Sequence, residues 1–182
     1  MPQKQIMSSE EITRAITRIA HEILEKNKGA KALALIGIRT GGAFLAKRFQ
    51  EKIKEIEGTE IELGLLDITL YRDDLTEIGA QPDIRETEID FGVSGKKIIL
   101  VDDVLFTGRT IRCAMDAIID FGRPEFIQLA VLIDRGHREL PIKADYVGKN
   151  IPTSKQEDVV VNLKECGEED SVVVFEGETK ND

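Results

Sequence analysis

The chain has 182 residues, 41% hydrophobic and 32% charged, with a formal net charge of -9. That length supports one sizeable core, and no apolar run reaches the ~18 residues of a membrane span. Met1–Glu11 has no apolar stretch of signal-peptide type, and Cys113 and Cys166 form no C-x-x-C pair, so a cytoplasmic protein without membrane, disulfide or metal-cluster roles is expected.

From the N-terminus, Ser8-Ser9-Glu10-Glu11 is a capping-box pattern, serine at the N-cap and glutamate three residues on. Ile12, Ile16, Ile19, Ile23 and Leu24 then recur at helical spacing, with Gly29 as the stop. Ala32–Ile38 reads as a buried strand, and Ala43–Ile56 as a helix with Phe44, Leu45, Phe49 and Ile53 on one side. Ile61–Tyr71 reads as a strand whose alternation changes phase between Leu65 and Leu66, the mark of a bulge. Residues 72–95 are acidic and contain Gly79, Pro82 and Gly92; so long a connection is usually a lid or binding loop. Lys97–Val101 is the next buried strand, followed by a loop and a helix from about Thr110 to Phe121. Phe126–Ile133 is another strand, then come a Gly/Pro-punctuated basic segment and two β-rich runs, Val159–Leu163 and Val172–Phe175. Alternating strands and helices with near-continuous apolar strands predict an α/β fold with a doubly wound, mainly parallel sheet. No repeat or linker divides the chain, so one domain over residues 1–182 is expected.

The most informative string is Ile98-Ile99-Leu100-Val101-Asp102-Asp103-Val104-Leu105-Phe106-Thr107-Gly108-Arg109-Thr110. A buried strand carries two carboxylates to its C-terminal end, where ligands collect in open α/β sheets. A Thr-Gly-x-Thr turn then opens a helix, where backbone N–H groups, hydroxyls and the helix dipole converge on an anion. Carboxylates for sugar hydroxyls beside donors for a phosphate make a ribose 5-phosphate site. Gly37-Ile38-Arg39-Thr40-Gly41-Gly42 is a second strand, glycine loop and helix start. No Walker pattern G-x-x-x-x-G-K-[ST] occurs, which speaks against a P-loop ATPase.

The thirteen-residue string resembles the PRPP-binding motif of type I phosphoribosyltransferases, where PRPP is 5-phosphoribosyl-1-diphosphate. The resemblance implies that Asp102 and Asp103 bind the ribose hydroxyls and that Val104–Thr110, above all Thr107, Gly108, Arg109 and Thr110, surround the 5′-phosphate. It implies that Arg39, Thr40 and Gly41 meet the diphosphate. A narrower resemblance rests on Thr17-Arg18-Ile19-Ala20-His21-Glu22, Asp67–Asp74, Asp134-Arg135-Gly136-His137-Arg138-Glu139-Leu140-Pro141 and Gly148–Ser154. These strings are similar to the family of bacterial pyrimidine operon attenuators that are also uracil phosphoribosyltransferases. That family implies conversion of uracil and PRPP to UMP and diphosphate with Mg²⁺, UMP-dependent binding to a pyrimidine operon mRNA leader, and assembly as a homodimer or higher homo-oligomer. It implies a small hood segment, and a mobile catalytic loop that begins at Tyr71-Arg72-Asp73-Asp74, placing Arg72 with Asp102, Asp103 and Arg39 in the catalytic set. One departure stands out: Thr40-Gly41-Gly42 replaces an expected Thr-Arg-Gly, a change expected to weaken PRPP binding or turnover unless Arg39 compensates.

The base pocket is expected at the backbone after Phe126–Ile133, around Arg135, with the segment near Val159 over the ring; alternatively Arg135 is a surface ion-pair partner of Asp134 or Glu139. Charge is uneven: residues 50–94 carry 4 basic and 13 acidic side chains, and residues 135–155 carry 5 and 2. Arg14, Arg18 and His21 form a basic stripe on the first helix, with Thr17 adjacent. Such a stripe is ordinarily solvated surface. In the resembling family, Thr17, Arg18, His21, Arg138, Lys143 and Lys149 fall at positions of the RNA-binding surface. Removing Arg18 or Arg138 is expected to spare uracil turnover, since neither belongs to the PRPP motif. Two other readings remain: an RNA-binding regulator with vestigial catalysis, and a purine-salvage phosphoribosyltransferase on the same fold.

Overall fold

The computed structural model describes residues 3–71 and 86–177. The first helix, α1 (Ser9–Asn27), begins at the predicted capping box: Ser8 Oγ accepts from the Glu11 N–H, and the Glu11 carboxylate accepts from the Ser8 N–H at 2.8 Å. Its isoleucines are buried, and the chain leaves through left-handed Lys28 and Gly29.

Five strands form a parallel sheet: β2 (Leu33–Ile38), β3 (Glu62–Leu66), β4 (Lys97–Leu105), β5 (Phe126–Asp134) and β6 (Tyr146–Asn150), in the order β3-β2-β4-β5-β6. Side chains divide by parity. Leu33, Leu35, Ile99, Val101, Ala130 and Leu132 share one core with α1 and α2 (Gly41–Glu57). Ala34, Ile36, Ile98, Leu100, Leu129 and Val131 share another with α3 (Arg109–Phe121). Both faces are covered, which is why these strands read as continuous apolar runs. Gly37 lets α2 lie on β2: a Cβ there would sit 2.6 Å from the Gly42 carbonyl.

A second, antiparallel sheet of β1 (Lys4–Met7), β8 (Ser171–Glu176) and β7 (Glu157–Asn162) forms the hood, in the order β1-β8-β7. Arg48 of α2 holds it down with a fork of bonds to Glu165 and Asp170 at 2.6–2.8 Å.

Three details differ from the sequence reading. The strand expected over Ile61–Tyr71 is β3 followed by a separate 3-10 turn at Thr69–Tyr71. Its pairing with β2 runs in regular register through Leu65 and Leu66, so there is no bulge; burial of Gly64, Leu65 and Leu66 in succession produced the change of phase. Strands β1 and β6 lie in segments that read as polar. Within β6, Gly148 is required by close approach, since a Cβ there would meet the Leu132 carbonyl at 2.4 Å. Among the described residues no helix is long and apolar enough to cross a membrane.

Candidate active site

The chain passes from β2 through α2 outward to β3, and from β4 through α3 in the opposite direction to β5. Adjacent strands β2 and β4 therefore bound the switch point, where the loops at their C-terminal ends diverge and leave a crevice. The two motif strings supply its walls. The α2 start packs tightly on β4: a Cβ on Gly42 would lie 2.3 Å from the Val101 carbonyl, and one on Gly41 2.3 Å from Asp103 Oδ2. The Asp103 Cβ itself would be only 3.1 Å away, which side-chain rotation cannot relieve. The glycine that replaces the expected arginine thus lies directly against this carboxylate, and any side chain at position 41 would require Asp103 to shift. The Arg39–Thr40 peptide is cis.

Asp102 is 7% exposed, and its Oδ1 accepts from the Asp103 N–H at 2.9 Å. Burial, and then the neighbouring Asp103 carboxylate, raise its carboxyl well above the usual carboxylate range. Asp103 Oδ1 accepts from the Val104 N–H at 2.7 Å. Leu105 is buried in the core beside α3, so only its backbone reaches the crevice side. Gly108 then turns the chain with φ 92°, a conformation glycine adopts without strain, and Thr107 Oγ1 accepts from the Arg109 N–H at 3.3 Å. Thr110 is exposed in the first turn of α3, and Arg109 Nε donates to Glu139 at 2.6 Å. An N-terminal helical turn with this hydroxyl and guanidinium is equipped to hold a phosphate.

Arg135 corrects one expectation: it is 5% exposed, not on the surface, and pairs with neither Asp134 nor Glu139. Its guanidinium lies 4.0 Å over the Phe106 ring and donates to the Ser154 carbonyl, the Glu157 carbonyl and Thr153 Oγ1. Desolvation lowers its pKa, yet stacking on the ring keeps the cation in place. Arg135 therefore ties the end of β5, the phosphate loop and the hood together. Val159 packs half-buried against the core from β7.

Arg39, which follows the end of β2, donates from Nε to the Glu86 carbonyl at 2.9 Å and from Nη2 to Glu88 at 2.5 Å. The acidic composition of the segment hid this partner; an isolated antiparallel bridge, Leu65 to Glu88, delivers it. Arg72, and most of the expected mobile loop with it, lies outside the described residues.

The RNA candidates divide. Arg18 donates to the Val147 and Gly148 carbonyls at 3.0 and 2.7 Å, and Lys149 to the Ile6 carbonyl at 2.9 Å, so the helix stripe lies beside β6. Arg14, His21 and Lys143 are exposed, and Thr17 Oγ1 donates to the Thr13 carbonyl. Arg138 donates to Asp134, the Phe106 carbonyl and the Ile142 carbonyl, which engages its guanidinium inside the protein. Through the Phe106 carbonyl it braces the phosphate loop.

Among the described residues no group of three or more His, Cys, Asp or Glu side chains makes a metal cage. The two β4 carboxylates alone suit an oxygen-seeking cation that arrives with a diphosphate and keeps its waters, as Mg²⁺ does.

Two carboxylates on a central parallel strand, a glycine turn and a phosphate-type helix start at the switch point define a phosphoribosyltransferase. The family described as "Phosphoribosyl transferase domain" matches residues 2–166. Bifunctional protein PyrR of Deinococcus radiodurans is 61% identical to this chain over 97% of each sequence, and that of Clostridioides difficile 58% over 94% of this chain and 97% of its own. The chain belongs to the phosphoribosyl transferase domain family and, within it, to the bifunctional PyrR proteins. Among solved structures, a hypoxanthine phosphoribosyltransferase variant from Trypanosoma cruzi in a ternary substrates complex superposes with TM-score 0.75 at 23% identity, covering 98% of this chain and 97% of its own. One from Staphylococcus aureus superposes with TM-score 0.69 at 21% identity, covering 93% and 90%. At those identities the likeness is one of fold.

Proposed function

We propose that this chain is a single-domain uracil phosphoribosyltransferase that also regulates pyrimidine biosynthesis by UMP-dependent binding to operon mRNA and attenuation of transcription. The observation that carries the enzymatic reading is the Asp102–Asp103 pair on β4, packed against the glycine start of α2 and followed by the α3 phosphate turn. Membership of the PyrR group favours uracil over a purine; the purine enzymes are similar in fold alone.

In this reading Asp102 and Asp103 accept hydrogen bonds from the ribose hydroxyls. The backbone and side chains of Thr107–Thr110 hold the 5′-phosphate, and Arg39 with the Thr40 and Gly41 backbone meets the diphosphate. The base lies near the end of β5, between the Arg135 backbone and the segment leading to Val159. Arg72 completes the catalytic set. The β4 carboxylates would help to hold Mg²⁺ that arrives bound with PRPP, and the ion would supply positive charge to the diphosphate. The chain's own contribution is orientation and electrostatic support: carboxylates fix the sugar while the phosphate turn and Arg39 fix its two charged ends. Uracil turnover with Mg-PRPP, followed as UMP formation, tests the assignment.

For the regulatory activity, the stripe of Thr17, Arg18 and His21, beside Lys149 on β6 and with Lys143, is the proposed RNA face of a cytoplasmic homodimer or larger homo-oligomer. Positive groups there position an RNA loop while the acidic remainder repels nucleic acid. Arg18→Ala is expected to weaken UMP-dependent RNA binding and to reduce the salt slope by about 0.7 if this arginine neutralises one phosphate. Filter binding across a salt series measures both, and an unchanged slope would remove Arg18 from the interface.

A further inference from the structure

Arg39 is the cation assigned to the diphosphate, yet it already has an anion. Its backbone N–H is fixed to the Leu66 carbonyl at 2.9 Å, and its guanidinium bonds the Glu86 carbonyl and the Glu88 carboxylate. Glu88 is no chance neighbour. Its N–H and carbonyl both pair with Leu65 on the outer edge of β3 at 2.8 Å, and the adjacent Thr87 Oγ1 accepts from the Asp67 N–H at 3.1 Å. This short bridge sets the position from which the carboxylate reaches Arg39. The two partners differ in access: the Arg39 side chain is 20% exposed and that of Glu88 53%. The cation is the fixed inner member and the carboxylate the outer, exchangeable one.

We propose that Glu88 is a built-in competitor for the diphosphate. Before substrate binds, its carboxylate occupies the Arg39 guanidinium; the incoming diphosphate displaces it, so Glu88 sets the affinity for diphosphate-bearing ligands. A carboxylate left in place would repel the diphosphate, so the two anions exclude each other. A diphosphate brings more charge and several oxygens to the same fork of N–H donors, which favours the exchange. The exchange gives the protein discrimination between ligands that share a ribose 5-phosphate: PRPP must displace Glu88, whereas UMP, which lacks a diphosphate, need not. Removing the competitor therefore shifts the balance between substrate and the nucleotide monophosphate. The inference rests on the assignment of Arg39 to the diphosphate.

Calorimetric titration of full-length wild type, Glu88→Gln and Glu60→Gln with Mg-diphosphate, Mg-PRPP and UMP tests it. Glu60, paired with Lys54 in the turn between α2 and β3, loses the same charge away from the crevice. Because the Arg39–Glu88 pair is partly exposed, Glu88→Gln is expected to bind Mg-diphosphate and Mg-PRPP about two- to fivefold more tightly. UMP affinity stays unchanged in the same variant, and Glu60→Gln behaves as wild type with all three ligands. Equal or weaker diphosphate binding by Glu88→Gln overturns the proposal, as does an equal gain for UMP or for Glu60→Gln. Wild type that binds UMP but neither diphosphate ligand removes the Arg39 assignment, and this inference with it.

Discussion

Converting Asp102 and Asp103 together to asparagine is expected to lower turnover by ~10²-fold or more while raising the melting temperature at neutral pH. The loss follows from geometry, since both carboxylates stand at the switch point beside the α2 start. The gain follows from burial. Asp102 is 7% exposed and its carboxyl is pushed up, so the folded chain binds that proton more tightly than the unfolded chain does. The cost to folding is absent well below pH ~4 and grows as pH rises from the ordinary aspartate value of ~3.9 through the raised one. Asparagine has no charge to desolvate, so the advantage of the double variant widens from mildly acidic to neutral pH. In a chain of this size each 1 kcal/mol appears as about 2–4 °C. Melting curves from about pH 5 to 8, beside initial rates of UMP formation, measure both across the range where stability is ordinarily greatest. A double variant that melts lower than wild type at neutral pH would contradict the burial argument.

Arg48→Ala is expected to destabilise the protein by about 2–4 kcal/mol, because it strands a buried charge. Arg48 forks to Glu165 and Asp170, and the Asp170 side chain is only 8% exposed. Hydrogen bonds from Arg48 are the main cause that holds both carboxyls below their usual range and the Arg48 guanidinium above its own. Groups with lowered pKa values stabilise above the unfolded carboxylate range, and that contribution is lost as pH falls through their folded values. Wild type should therefore lose hood stability in acid more steeply than Arg48→Ala, which lacks the linkage. Denaturant unfolding at neutral pH and at about pH 4 reads the difference. Equal pH dependence in the two proteins would show that the fork does not hold the hood.

Much of this was legible in the sequence where one residue type has one physical role. Ser8 and Glu11 announced the capping box, and the apolar runs of β2, β4 and β5 announced a sheet covered on both faces. Asp102 to Thr110 named a crevice because strand, carboxylates and helix start occur in the order a sugar phosphate requires. Strands β1 and β6 were hidden, since Lys4, Gln5, Gly148 and Lys149 look like loop residues; pairing with β8 and β5 makes them strands. For Arg135 a surface ion pair stood open beside the base-pocket reading, because the Phe106 ring and the carbonyls of residues 154 and 157 are distant in sequence. Glu88 was one acid among many until its bridge to Leu65 put it on Arg39. Gly41 read only as a missing arginine, because its closeness to Asp103, far along the chain, is invisible in sequence.

In the proposed reaction this crevice joins a pyrimidine base to PRPP. The most direct measurement is initial-rate formation of nucleotide and diphosphate from Mg-PRPP with uracil, hypoxanthine and guanine in parallel. Uracil should be converted to UMP with one diphosphate released per UMP, and both purines should react far more slowly. Purine turnover exceeding that of uracil, or no reaction with any base while PRPP binds, would contradict it.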